Sequence, residues 1–192
     1  MGGKPKGAGR SSYDLIDRQT LFEELHLGEG AVLLDLACGA GNYALALSQH
    51  IGKRGLVHAV DLWEEGIVRL WEEVSKRKIA NVKPILADVS RRLPISDRSV
   101  DVCLMATVLH DLVEGNQHEG ALGESARVLR PGGTLAVIEF KKIEGPPGPP
   151  LLVRLAPEEV ERIVAPFGFE PKRVVELGPH NYLSLFVLAP RG

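Results

Sequence analysis

From residue 11 onward, short apolar runs alternate with apolar stripes at helical spacing, the pattern of a parallel sheet covered by helices on both faces. A first helix, capped by Ser11 or Ser12, places Leu15, Ile16, Phe22 and Leu25 on one side and ends at Gly28. Strands are expected at 31–36, 55–60, 81–87, 100–106 and 133–140, with helices starting near Gly41, after Asp61 and over 117–129. The helix after Asp61 carries Trp63, Ile67, Leu70, Trp71 and Val74 at the spacing of one buried stripe, so both tryptophans read as core. The run GPPGPP at 145–150 suits neither helix nor strand and reads as a stiff, extended connection, either a spacer or a pocket wall. Pro157 opens a last helix with Val160, Ile163, Val164 and Phe167 inward and Gly168 at its end. Only four residues separate the final strands, 172–177 and 182–188, and so short a link permits only an antiparallel hairpin.

Composition narrows the class. At 192 residues and 44% hydrophobic content the chain suits one domain, 11–192, whose first twenty residues cap it, preceded by a basic, Gly-rich tail over 1–10 expected to be flexible. Lys and Arg number 23 against 25 Asp and Glu, without the basic excess of a nucleic-acid binder. Cys38 and Cys103 build neither a disulfide framework nor a closed zinc site, which fits a reducing cytoplasm. No apolar run reaches the roughly 18 residues of a membrane-spanning helix.

The chemistry concentrates at the expected strand ends. In Asp35-Leu-Ala-Cys-Gly39-Ala-Gly41-Asn42 the glycines let the chain turn sharply and bring backbone amides against a ligand. Gly39-x-Gly41-x-x-Ala44 also satisfies a dinucleotide fingerprint, with Asp61 about 20 residues on for a ribose contact. Asp35 separates the alternatives, because a carboxylate there repels a pyrophosphate and attracts a ligand bearing an ammonium and a sulfonium, as S-adenosylmethionine does. Asp61 and Asp88 end the next two strands, so three acceptors follow one crevice. Asp61 is placed for the ribose hydroxyls, and Asp88 for an adenine amino group beside the amide of Val89.

Three blocks carry a family resemblance: Val32-Leu-Leu-Asp-Leu-Ala-Cys-Gly-Ala-Gly41, Leu93-Pro-Ile-Ser-Asp-Arg-Ser-Val-Asp101 and Arg127-Val-Leu-Arg-Pro-Gly-Gly-Thr-Leu135. In identity, spacing and order the chain resembles class I S-adenosylmethionine-dependent methyltransferases of the type 11 and quinone-biosynthesis-like group, from about Asp14 onward. The resemblance implies a Rossmann-like seven-stranded sheet in the order 3214576, strand seven antiparallel. The implied cofactor contacts are Asp35, Gly39, Gly41, Asp61 and Asp88, and the full candidate set adds Ala37, Asn42, Leu62, Val89 and Ala106. Ala37 stands where many members have a first glycine, and Val100 replaces a usual Phe.

Methyl transfer needs nucleophile, methyl and sulfur aligned and water excluded, and calls for no metal. A base matters where the acceptor arrives protonated, and the candidate for base or substrate contact is His110 in Thr107-Val-Leu-His-Asp111, with a packed or helix-capping histidine as the other reading. Glu139, Lys141 and Lys142, after strand five, read as a solvated charge run or as residues facing the pocket, with the charge run favoured, and His180, Asn181 and Tyr182 read as turn and edge residues. Tyr13 lies in the entry segment that can close over a cofactor in the resembling family. The segment after strand four lacks the Pro-Pro-aromatic element of base-flipping amine methyltransferases and a Cys that could attack a pyrimidine, so a small-molecule acceptor is expected rather than nucleic acid. Rival readings are an NAD-linked oxidoreductase and a non-catalytic cofactor-binding subunit. The short cap leaves a cleft open to a bulky substrate or to a second copy in a homodimer.

Overall fold

The computed structural model describes residues 7–190; the expected flexible tail falls mostly outside them. Seven strands form one sheet: β1 (Val32–Leu36), β2 (Leu56–Asp61), β3 (Val82–Leu86), β4 (Val100–Ala106), β5 (Leu129–Phe140), β6 (Phe169–Glu176) and β7 (Asn181–Leu188). Their order is β3-β2-β1-β4-β5-β7-β6, with β7 antiparallel to both β5 and β6. The reversed hairpin therefore inserts its second strand beside β5 and leaves β6 at the edge. Parallel pairing aligns Asp35 with Ala59 on β2 and Leu104 on β4, deep in the sheet.

Alternation along each strand divides the core between the two faces. Leu33, Leu104 and Ile138 point toward α1 (Arg18–Leu25), α2 (Asn42–His50) and α3 (Glu64–Lys76), where Leu21, Leu47 and Leu70 complete one cluster. Leu34, Leu36, Met105 and Val137 point the other way, against Leu109 of α4 (Leu109–Glu114), Leu122 of α5 (His118–Val128) and Val160 of α6 (Pro157–Val164). Parallel strands covered on both faces direct all their carboxyl ends to one edge, where Leu36, Asp61, Leu86 and Ala106 lie.

Two of the three resembling blocks serve packing. Arg127 of α5 reaches into the segment before β4, bonding Asp97 at 2.5 Å and the carbonyls of Ile95 at 2.9 Å and Leu93 at 3.2 Å. Glu124 completes the clamp, accepting from Arg127 at 2.6 Å and from the Leu93 amide at 2.7 Å.

Several elements depart from expectation. Helix α1 starts at Arg18, capped by Asp17, whose Oδ1 accepts from the Thr20 amide at 3.2 Å; Ser12 caps nothing and instead bonds Tyr43 and Thr107. It ends at His26 in left-handed conformation, two residues before Gly28. Trp63 is 4% exposed but Trp71 is 62% exposed, since the inward stripe of α3 runs through Ile67 and Leu70 and the next residue lies about 100° around the helix. Helix α4 was not expected, its six residues being too short for a periodic stripe. Asn181 and Tyr182 are buried, because β7 is an interior strand, and the Tyr182 hydroxyl donates to the Leu155 carbonyl at 2.7 Å.

Candidate functional site

The turn after β1 forms the floor of the site. Gly41, at φ 82°, caps α2, and a Cβ there would lie 2.4 Å from the Leu70 side chain, so helix α3 closes on the turn only because no side chain intervenes. Gly39 is the opposite case: at φ 58° a Cβ would meet nothing within 4 Å, so its face is open toward a ligand. The two glycines divide the work, one packing and one exposing backbone. Ala37 shares the left-handed conformation at φ 60°, which costs a residue with a Cβ about 1–2 kcal/mol. Ala37→Gly is expected to recover up to about 1 kcal/mol of stability, read as a higher denaturant midpoint at unchanged slope.

Asp35 is 1% exposed, and its Oδ2 has no hydrogen-bond partner. Burial pushes its carboxyl up to about 7; the Ala44 amide opposes that rise and the negative charge of Asp61 adds to it. A half-satisfied buried carboxylate destabilises the unliganded fold unless something supplies a donor or a positive charge. Burial, with Asp35 and Asp61 nearby, also raises the Cys38 thiol, which keeps it a neutral packing group.

Asp61 fastens the turn to the end of β2. Its Oδ2 accepts from the Gly39 amide at 2.7 Å and its Oδ1 from the Trp63 amide at 2.7 Å. Leu62, 52% exposed between them, offers an apolar surface beside the carboxylate. Asp88 is tied to its own loop, its Oδ1 accepting from the Ser90 amide at 2.9 Å and hydroxyl at 2.6 Å, with Arg91 at 3.3 Å from Oδ2. Burial raises its pKa, but those hydrogen bonds and the Arg91 charge outweigh it and hold the carboxyl below its usual range. Val89 is buried in the core, Asn42 is exposed at the first turn of α2, and Ala106 ends β4.

Beyond β4 the backbone is strained: Thr107, β-branched, sits at φ 53°, an outlier held by its amide's bond to the Ile138 carbonyl at 2.7 Å. Its hydroxyl lies 3.1 Å from that of Ser12, which is 2.8 Å from the Tyr43 hydroxyl. The entry segment is thus fastened across the strand ends, and Tyr13 stands edge-on to Tyr43 at 5.1 Å.

His110 follows on α4, 5% exposed, and here the charge-run expectation for Glu139 fails. Glu139 is fully buried, and its carboxylate accepts from His110 Nδ1 at 2.9 and 3.0 Å, from the His110 amide at 3.1 Å and from the Phe140 amide at 3.2 Å. A carboxylate so enclosed needs this many donors. His110 Nδ1 faces the Glu139 carboxylate, and its Nε2 lies 3.6 Å from Asp111 Oδ2. Lys141 pairs with Glu176 and donates to the Gly178 carbonyl at 2.8 Å, while Lys142 pairs with Glu159 at 2.6 Å. The signal that separates Glu139 from the charge run is its place one residue inside the end of an apolar strand.

Among the described residues, no group of three or more His, Cys, Asp or Glu is arranged to hold a metal, and no helix is long and apolar enough to cross a membrane. The type 11 methyltransferase family model, described as a methyltransferase domain, matches residues 34–137. A solved structure of a SAM-dependent methyltransferase from Aquifex aeolicus is 33% identical and superposes with a TM-score of 0.84, covering 96% of each chain. A type 11 methyltransferase from Sulfolobus solfataricus, 22% identical at TM-score 0.69 over 91% of this chain and 90% of its own, shares the fold. Among curated proteins, a demethylmenaquinone methyltransferase of Staphylococcus aureus is 32% identical over 125 residues, 64% of this chain and 48% of its own length. The chain thus spans about half the length of the curated relatives it matches. Sheet order, the glycine turn above a buried acid and the family match over more than half of the sequence agree: the chain belongs to the type 11 methyltransferase domain family, within the class I S-adenosylmethionine-dependent methyltransferases.

Proposed function

We propose that the protein transfers a methyl group from S-adenosylmethionine to a small-molecule acceptor whose nucleophilic atom arrives protonated. The observation that carries this reading is Asp35, a fully enclosed carboxylate with one unpartnered oxygen beneath an open glycine turn. A cationic ligand answers that vacancy in hydrogen bonding, whereas a diphosphate would face two buried carboxylates. Asp35 would hold the ammonium end, Gly39 would lie against the ligand, Asp61 would accept from the ribose hydroxyls, and Leu62, Asp88 and Val89 would frame the adenine.

When bound, the cofactor supplies an electrophilic methyl on a sulfonium. The acceptor's lone pair would take that methyl with the thioether as leaving group, and His110 Nε2 would take the acceptor's proton. Glu139, 2.9 Å from His110 Nδ1, would stabilise the resulting imidazolium. Ser12, Tyr13 and Tyr43 would limit water entry from the side of the entry segment. The demethylmenaquinone methyltransferase relative supports a small acceptor.

The reading is tested by incubating the protein with methyl-labelled S-adenosylmethionine and a whole-cell extract fractionated by mass. Label entering the low-mass fraction, and falling about a hundredfold with His110→Ala, is the expected result. Label confined to protein or RNA would contradict the small-molecule assignment, and full turnover by His110→Ala would remove the base.

A further inference from the structure

The Pro-rich segment has an unusual hydrogen-bonding problem. Pro146, Pro147, Pro149 and Pro150 carry no N–H, so its carbonyls outnumber the amides that could meet them. Arg154, 2% exposed, answers with its whole guanidinium. Nε donates to the Pro149 carbonyl at 2.9 Å, Nη1 to those of Lys141 at 3.1 Å and Ile143 at 2.7 Å, and Nη2 to those of Gly145 at 2.6 Å and Pro147 at 3.0 Å. All five donors of the planar fork are used, on five alternate carbonyls of one loop. Residues 141–149 are wound around a single buried cation.

This loop leads by contact to His110. Gly148, at φ 107°, lies so close to Phe140 that a Cβ would be 2.7 Å from a ring carbon. The Arg154 guanidinium is 5.8 Å from the centroid of the same ring. Phe140 in turn stands edge-on to the His110 imidazole, centroids 6.4 Å apart at 71°. The 3₁₀ turn Leu151–Val153 packs against α4, the helix that carries His110.

We propose that Arg154 is a positioning residue for the methyl-accepting half of the site: by winding 141–149 into a fixed wall behind Phe140, it sets the orientation of the His110 ring. The proposal rests on the reading that His110 takes the acceptor's proton. A lysine at 154 has the charge but one nitrogen, which cannot reach five carbonyls spread over nine residues.

The test uses the full chain labelled with isotopic histidine, with the His110 signal identified among six histidines by its loss in His110→Gln. Two variants are compared with the parent: Arg154→Lys, which unwinds the loop, and Gly148→Ala, which presses on Phe140 without touching the charge. In each, the His110 ring resonance is expected to move and its titration midpoint to shift by about half a pH unit or more, while the dissociation constant for S-adenosylmethionine stays within about twofold. Unchanged His110 signals in both variants would overturn the proposal. So would a cofactor affinity that weakens about tenfold alongside them, the mark of general loosening. If Arg154→Lys does not fold, Gly148→Ala decides between the same outcomes. Failure of the parent protein to bind the cofactor is a separate result, one that contradicts the methyltransferase reading and leaves the ring measurement intact.

Discussion

Asp35→Asn is expected to make the unliganded protein more stable and the cofactor complex much weaker. Burial pushes the carboxyl up to about 7 in the fold, well above the ordinary aspartate range, so the native state binds its proton more tightly than the unfolded chain does. Stability is therefore lost as pH rises from about 4 to 7 and stays lower above that, by on the order of 4 kcal/mol at most. An uncharged amide removes that loss and keeps one oxygen for the Ala44 amide. At pH 8 the variant should gain about 2 kcal/mol, a rise of roughly 4–8 °C in melting temperature. At pH 4, where the parent's carboxyl is already protonated, the two proteins should melt together. The same change removes the charge facing the ligand ammonium, and S-adenosylmethionine binding should weaken by about a hundredfold, the worth of one charge-assisted hydrogen bond in a buried setting. Scanning calorimetry at both pH values with titration of the ligand checks both signs. A destabilised variant at pH 8 would show that Asp35 is a structural acid.

The second large effect is at Glu139. Glu139→Ala leaves His110 Nδ1 and two backbone amides without their acceptor in a closed environment, and should cost about 3–5 kcal/mol, enough to lower the melting temperature by about 10 °C. Glu139→Gln keeps an acceptor and should be far milder in stability, yet it cannot stabilise an imidazolium. Turnover should fall about a hundredfold in Glu139→Gln while cofactor affinity holds. If turnover survives in the glutamine variant, the pair is packing alone.

These two residues also mark what could be read from the chain. Asp35, Gly39, Gly41 and Asp61 sit at strand–turn junctions, where local pattern and local geometry coincide: the turn and Asp61 meet at the carboxyl edge of the sheet, and Asp35 lies one residue inside the end of β1. The final hairpin was legible for a similar reason, since a four-residue link leaves the chain no other topology. Glu139 and Arg154 were not legible, because their roles depend on partners 29 residues away and on carbonyls that any sequence would possess. Trp71 misled because a stripe predicts direction only to within one helical step. Ser12 misled because a serine can cap a helix or reach across the molecule to Tyr43, and distance along the chain does not reveal which.

A buried acid that pairs with a cationic ligand is tested most directly by the affinity of the parent protein for S-adenosylmethionine between pH 5.5 and 7.5, with NAD titrated under the same conditions. Over that window the ligand's own ammonium remains mostly charged. Asp35 must be ionised to receive it, so affinity should tighten about twentyfold as pH rises, the dependence should vanish in Asp35→Asn, and NAD should not bind. An affinity indifferent to pH, or binding of NAD in its place, would contradict the account.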